Sequence, residues 1–255
     1  MAALPSFPDL KGQSVFITGG GAGIGAALTE GFLRQGAKVA FCQRSDGSAF
    51  CDAMEQATGN RPLFLPCDIA VTDQLQLTLS TAAKINGPIT VLVNNAANDR
   101  RHDTLTTDEA LWDWSMAVNL RSYFFACQSV IPGMKAAGGG SIINFSSISF
   151  MMADAGYASY ITANAGIVGL TRTLAREFGP DRIRVNAVAP GWVLTEKQKE
   201  LWVTPEGLAN HLSRQCIPDP IQPDDVTGAV LFLASASSRM MTSQTLILDG
   251  GYISS

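Results

Sequence analysis

The sequence predicts an α/β fold. The expected form is a doubly wound parallel seven-stranded sheet of Rossmann type, in a single domain spanning 1–255. Three observations predict it. Short β-branched runs alternate with longer stretches of helical periodicity along the whole chain of 255 residues, a βαβα pattern that puts helices on both faces of a parallel sheet. Most of the runs are apolar throughout, as strands buried on both faces must be. The first run ends in a cluster of glycines that opens a helical pattern, where a phosphate can approach the backbone. With 46% hydrophobic and 16% charged residues, the chain can bury a substantial core.

The elements follow in order. "SVFIT" (Ser14–Thr18) reads as the first strand. After the glycines, Ile24, Ala27, Leu28 and Gly31 recur at helical spacing, a face that can pack on the sheet. "KVAFC" and "PLFLPC" are strands two and three, "ITVLVNN" the fourth, "GSIINFSS" the fifth, "RIRVNAVAP" the sixth and "QTLILDGG" the seventh. Helices are expected at about 49–58, 71–85, 108–135, 157–178 and 223–234. The stretch 191–218, rich in charge and Trp, interrupts the alternation between strands six and seven. A substrate loop or lid belongs at such a place, beyond the C-terminal end of a strand.

Several classes are set aside. The net charge is −4 and no basic run occurs, so nucleic acid is not an expected partner. The five cysteines are scattered and form no CxxC pair, which favours a reducing compartment and speaks against a metal site. No apolar run is long enough to span a bilayer, and the N-terminus does not read as a signal peptide. A cytoplasmic protein is the expectation.

"TGGGAGIG" (Thr18–Gly25) offers backbone N–H groups free of Cβ atoms at the start of a helix. Gly19, Gly21, Gly23, Ile24 and Gly25 are the candidate dinucleotide contacts. The end of strand two selects the cofactor. An acid there would hold a ribose hydroxyl, whereas "AFCQRSDGS" offers Gln43 and Arg44. Arg44 can fork onto a 2′-phosphate, so NADP is expected, with NAD possible as well. Asp68, after strand three, is either an adenine contact or a helix cap.

Together with Ser147 and Tyr160, thirteen residues apart, these motifs resemble the short-chain dehydrogenase/reductase family over essentially the whole chain. "NNAA" (Asn94–Ala97) is similar to its N-N-A-G, with Ala97 where Gly is usual. Asn119 in "AVNLRSYFF", Ser147 and Tyr160, "PGWVLT" (Pro190–Thr195) and "LDGG" complete the pattern in order. The resemblance implies cofactor contacts at Asn95, Ala96, Pro190, Gly191, Val193 and Thr195, and a homotetramer. It implies that Tyr160 takes a hydroxyl proton as phenolate while Ser147 holds the substrate oxygen and Asn119 a helix end. "NNAANDRRH", "NLRSYFFACQSVIPGMKAAGGGSIINFSSIS" and "LWVTPEG" are similar to the xylose dehydrogenase-like aldose 1-dehydrogenases of that family. That implies oxidation of a pyranose at C1 to a lactone.

One position departs from the pattern. Asn164 stands four residues after Tyr160, where the family has a lysine that lowers the tyrosine pKa and holds the nicotinamide ribose. A neutral amide can still bond a ribose hydroxyl, but it brings no charge. An ordinary tyrosine, with a pKa of about 10, is almost wholly protonated at neutral pH. The expectation is a dehydrogenase impaired at neutral pH, with Asn164 counted among both the catalytic and the cofactor residues. Lys197, Lys199 and Arg101 are the cations that could fold in instead.

Asn98, Asp99, Arg101, His102, Met152, Asp154, Trp192 and Trp202 are the candidate sugar pocket, since a sugar needs donors, acceptors and an aromatic face. Two other readings stay open. Arg100–Arg101 could clamp the carboxylate of a 2-keto-3-deoxy sugar acid oxidised at a secondary hydroxyl, or the chain could bind NADP(H) and sugar without turnover. Reduction of an acyl-carrier ketone fits the acidic net charge less well.

Overall fold

The computed structural model describes residues 5–152 and 154–253. Seven parallel strands form one sheet in the order β3-β2-β1-β4-β5-β6-β7: β1 Ser14–Thr18, β2 Lys38–Gln43, β3 Leu63–Pro66, β4 Val91–Asn94, β5 Gly140–Phe145, β6 Ile183–Pro190 and β7 Thr245–Leu248. The chain leaves β1 toward β2 on one side and reaches β4 on the other, so a crevice opens at the C-terminal ends of β1 and β4. The helices are α1 Gly23–Arg34, α2 Ser48–Thr58, α3 Thr72–Asn86, α4 Glu109–Met116, α5 Ser122–Ala136, α6 Ser149–Met152, α7 Ala158–Phe178, α8 Glu196–Leu201, α9 Pro205–Ser213 and α10 Pro223–Ala234.

Two apolar layers sandwich the sheet, as near-continuously apolar strands require. Leu28 and Phe32 of α1, Met54 of α2 and Val226 and Val230 of α10 pack with Val15, Ile17 and Val93 on one face. Leu75 and Leu79 of α3, Cys127 and Met134 of α5 and Leu174 of α7 pack with Phe16, Leu92 and Ile142 on the other. Three polar side chains cross this second face. Asn94 donates to Asn144 at 2.9 Å and Asn144 donates to Thr171 at 3.0 Å. The chain of bonds ties β4, β5 and α7 together beneath the crevice, and each partner left alone there would be an unmet polar group in the core.

The structure departs from the sequence reading in three places, one of them the unexpected short helix α6. The expected helix 108–135 is broken by a π-helical turn, Ala117–Arg121, between α4 and α5. The stretch 191–218 is not a plain loop but carries α8 and α9. Thr195 caps the first, accepting from the Gln198 N–H, and Thr204 caps the second, accepting from the Gly207 N–H ahead of Pro205. Among the described residues, no helix is long and apolar enough to cross a membrane.

Candidate active site

β1 ends in a turn whose shape the glycines set. Gly19 and Gly23 adopt positive φ (70° and 54°), which side-chain-bearing residues seldom do. Helix α1 begins at Gly23 with no side chain capping it, so its first N–H groups face the cleft with their dipole unspent. The loop after β4 is sewn to this turn. Thr18 Oγ1 accepts from the Asn95 and Ala96 N–H groups at 2.9 and 3.0 Å, and Asn95 Nδ2 donates to the Thr18 carbonyl at 3.0 Å. From the far side, the Thr195 methyl lies 3.1 Å from where a Cβ on Gly23 would stand.

The cleft that opens over this turn has a volume of about 1050 Å³. Of the expected cofactor contacts, Gly19, Gly23, Ile24, Gly25, Asn95, Ala96, Asn164, Pro190, Gly191, Val193 and Thr195 line it. So do Ser147 and Tyr160, and from the expected sugar pocket Asp99, Arg101, Met152, Asp154, Trp192 and Trp202. One surface thus runs from the phosphate-sized turn, past the Ser147–Tyr160 pair, to a polar and aromatic end.

Ser147 follows β5, and its hydroxyl accepts from the Ser149 N–H at 3.2 Å. Tyr160 is half-buried, in the first turn of α7. Burial, and then the Asp99 carboxylate, push its pKa above the ordinary tyrosine value; hydrogen bonds from Ser147 and Asn164 and the Arg101 charge pull it back only in part. Asn164 lies one turn further along the same helical face. It is buried, and its Nδ2 donates to the Tyr160 carbonyl at 2.9 Å. Its own carbonyl accepts from the Ser146 hydroxyl at 3.0 Å. The amide thus ties to the helix backbone and reaches the phenol, but it places no cation beside it.

The polar end is closed by a latch. Asp99 accepts from Gln198 Nε2 at 3.1 Å and pairs with Lys197 at 3.5 Å, and Gln198 Oε1 accepts from the Trp192 indole at 2.9 Å. Beside it, Tyr157 stacks on Tyr160 with ring centroids 5.5 Å apart, donates its hydroxyl to Asp154 at 3.0 Å and carries the Arg101 guanidinium 3.6 Å above its ring. Tyr157 and Gln198 were missing from the sequence reading. Tyr157 stands three residues before Tyr160, a same-face spacing that could have flagged it.

Six expected site residues lie outside the lining of this cleft. Gly21 is covered by Gln43, whose Oε1 would stand 2.3 Å from a Cβ there. Arg44 is exposed beyond β2. Asp68 accepts from the Ala70 N–H at 3.0 Å, closing the turn that leads into α3. Asn98 has its backbone N–H and carbonyl both bonded to Asn119 at 2.8 and 3.0 Å, and its Oδ1 accepts from the Arg100 N–H at 3.0 Å. Asn119 is buried behind it in the π-helical turn and also donates to Ser115 at 3.2 Å. His102 fixes the loops from the back: its N–H donates to the Gly156 carbonyl at 2.7 Å and Nε2 accepts from the Ser159 N–H at 3.4 Å. Asn98 and His102 are thus held in bonds within and behind the loops after β4, and neither is among the residues lining this cleft.

The uncapped start of α1 and the glycine turn fit the phosphates of a dinucleotide, and the β1–β4 crevice is where α/β sheets bind one. Comparison with known proteins agrees. Residues 19–253 match the family described as enoyl-(acyl carrier protein) reductase. A probable galactose dehydrogenase of Rhizobium meliloti is 48% identical over 97% of this chain and 98% of its own. A D-xylose 1-dehydrogenase of Caulobacter vibrioides is 46% identical over 96% and 98%. A crystal structure of a protein assigned as a short-chain alcohol dehydrogenase from Sinorhizobium meliloti superposes with a TM-score of 0.91, at 29% identity over 96% of this chain and 98% of that one. The chain belongs to the short-chain dehydrogenase/reductase family, whose members are NAD(P)-dependent oxidoreductases acting on CH–OH groups.

Proposed function

We propose that this chain oxidises an aldose at C1 to the lactone, with NADP preferred, and that it does so slowly at neutral pH. The observation that carries the reading is the single cleft that joins the glycine turn, the Ser147–Tyr160 pair and the end formed by Asp154, Trp192 and Trp202. Relatives whose names specify galactose and D-xylose support a pyranose as substrate.

NADP, when bound, supplies the hydride acceptor. The chain does the rest. The N–H groups at the start of α1 bind phosphate, and Asn164 and Thr195 orient the nicotinamide end. Ser147 holds the C1 hydroxyl, and Tyr160 takes its proton. Asn119 acts from behind, fixing Asn98 and so the loop that carries Asp99. Trp192 and Trp202 give the sugar's C–H face a wall. Arg44 makes no side-chain hydrogen bond or ion pair among the described residues, while nearby Asp46 is engaged by the Ser48 N–H and hydroxyl; a free guanidinium there favours a 2′-phosphate. Asp68 would contact the adenine through Oδ2 while its Oδ1 keeps the Ala70 N–H. A cytoplasmic homotetramer belongs to the same proposal, by the family resemblance.

The test is reduction of NADP and NAD by a panel of aldoses, sugar acids and simple secondary alcohols, from about pH 7 to about 10.5, with lactone identified as product. Aldose-dependent reduction that rises with pH and vanishes in Tyr160→Phe is expected. Activity confined to substrates with a carboxylate, and lost in Arg101→Ala, would replace the aldose by a sugar acid. Tight NADP(H) binding with no turnover at any pH would leave a binding protein.

A further inference from the structure

Of the three cations that the sequence left open in place of the absent lysine, two are engaged elsewhere. Lys199 pairs with Glu196 on its own helix at 2.7 Å, and Lys197 with Asp99 at 3.5 Å. Arg101 is different. Its guanidinium lies 3.6 Å over the Tyr157 ring, with the Trp202 ring 5.7 Å away on the same latch. Tyr157 in turn stacks nearly parallel on Tyr160, at 12° and 5.5 Å between centroids. Arg101 thus sits on a ring that itself stacks on the phenol that Asn164 leaves without a charge.

We propose that Arg101, held by the Tyr157 stack, supplies at Tyr160 part of the positive potential that the missing lysine would bring, and that Asp99 is its counterweight. The inference rests on the reading of Tyr160 as the base. It makes Arg101 a positioning residue, acting through Tyr157 rather than on substrate. Every group facing Tyr160 enters the balance. From the loop after β4 come Asp99 and Arg101; from the β5 loop, Ser147, with Asp154 bonded to Tyr157. Helix α7 contributes Tyr157 and Asn164, α5 contributes the buried phenol of Tyr123, and α8 contributes Lys197 through its pair with Asp99. Of these only Arg101 and Lys197 are cationic, and Lys197 reaches Tyr160 only by offsetting Asp99.

The experiment is an NMR titration of tyrosine labelled at the ring carbon bearing the hydroxyl. The chain has four tyrosines, and Tyr160→Phe assigns the resonance. No substrate or cofactor is present, so the outcome is independent of whether the substrate is an aldose. Arg101→Gln is expected to move the Tyr160 midpoint to higher pH, with roughly tenfold less phenolate at a given pH. Arg101→Lys keeps most of the original midpoint, and Asp99→Asn moves it the other way. An unmoved midpoint in folded Arg101→Gln overturns the proposal, as does an equal shift in Arg101→Lys, which would make packing rather than charge the cause. If Arg101→Gln fails to fold, Asp99→Asn decides alone: no downward shift there also overturns it.

Discussion

A Cβ on Gly25 would stand 2.0 Å from the Gly19 carbonyl oxygen. The turn and the first coil of α1 approach so closely that only a hydrogen fits between them. Gly25→Ala should therefore cost about 1–3 kcal/mol by overpacking, a fall in Tm of roughly 2–4 °C per kcal/mol. It should weaken NADP binding as well, because the carbonyl that must shift belongs to the turn. Thermal denaturation and cofactor titration of the variant check both. At this scale the sequence was informative where a motif has a geometric reason. The glycine turn, the Ser147–Tyr160 spacing and the helical step from Tyr160 to Asn164 could all be read in advance. Side-chain direction could not. Asn98 and His102 are polar and neighbour Asp99 and Arg101 in sequence, yet their side chains bond the Arg100 and Ser159 N–H groups and neither lines the cleft. Tyr157 became visible only when its ring was found in contact with both Arg101 and Tyr160.

Helices α8 and α9 form the flap that the charge-rich stretch foreshadowed. The capping residues Thr195 and Thr204 with Pro205 were written in the sequence, but a short helix with no buried face gives no periodic signal. Beside the Lys197–Asp99 pair and the stacking of His211 on Tyr252, one glutamine ties the flap down, bonding Asp99 through its nitrogen and the Trp192 indole through its oxygen. Gln198→Leu should release both at once. Amide exchange should quicken in 196–213 and stay unchanged in the sheet, and the substrate KM should rise several-fold with a smaller change in kcat. Equal protection of the flap in the variant would show that the latch is not what closes it. The π-helical turn is the other element the sequence concealed. An apolar helical pattern runs straight through it, and only the bonds from Asn119 to Asn98 and Ser115 reveal why one residue is out of step.

The whole molecule was the most legible level, since seven apolar strands with helices between them admit few arrangements. What the alternation could not give was the junction at the crevice, where Asn95 and Thr18 join β4 to β1. A cofactor there would touch the ends of several strands at once, so its binding should stabilise the entire fold. At about 100 times its Kd, NADP should add about 2.7 kcal/mol, a rise in Tm of roughly 5–10 °C. NAD at the same concentration should add less, and Arg44→Ala should remove the difference between them. Equal shifts with both dinucleotides in the unaltered protein would assign Arg44 to the solvated surface.

The sign of the pH dependence follows from Tyr160. Its pKa is raised, first by burial and next by Asp99, so on the proposed mechanism the phenolate that would accept the proton is scarce at pH 7. Oxidation should climb as pH rises toward that pKa, while the reverse reduction, which needs the phenol, should decline. A lysine at 164 would bring an ammonium to the same helical face and lower the pKa. The most direct measurement is the pH–rate profile of aldose oxidation for the protein and for Asn164→Lys. The account predicts that the variant gains at least about tenfold at pH 7, with its profile shifted to lower pH and its sugar preference unchanged. A protein already fast at pH 7, or a variant whose profile coincides with it, would contradict the account.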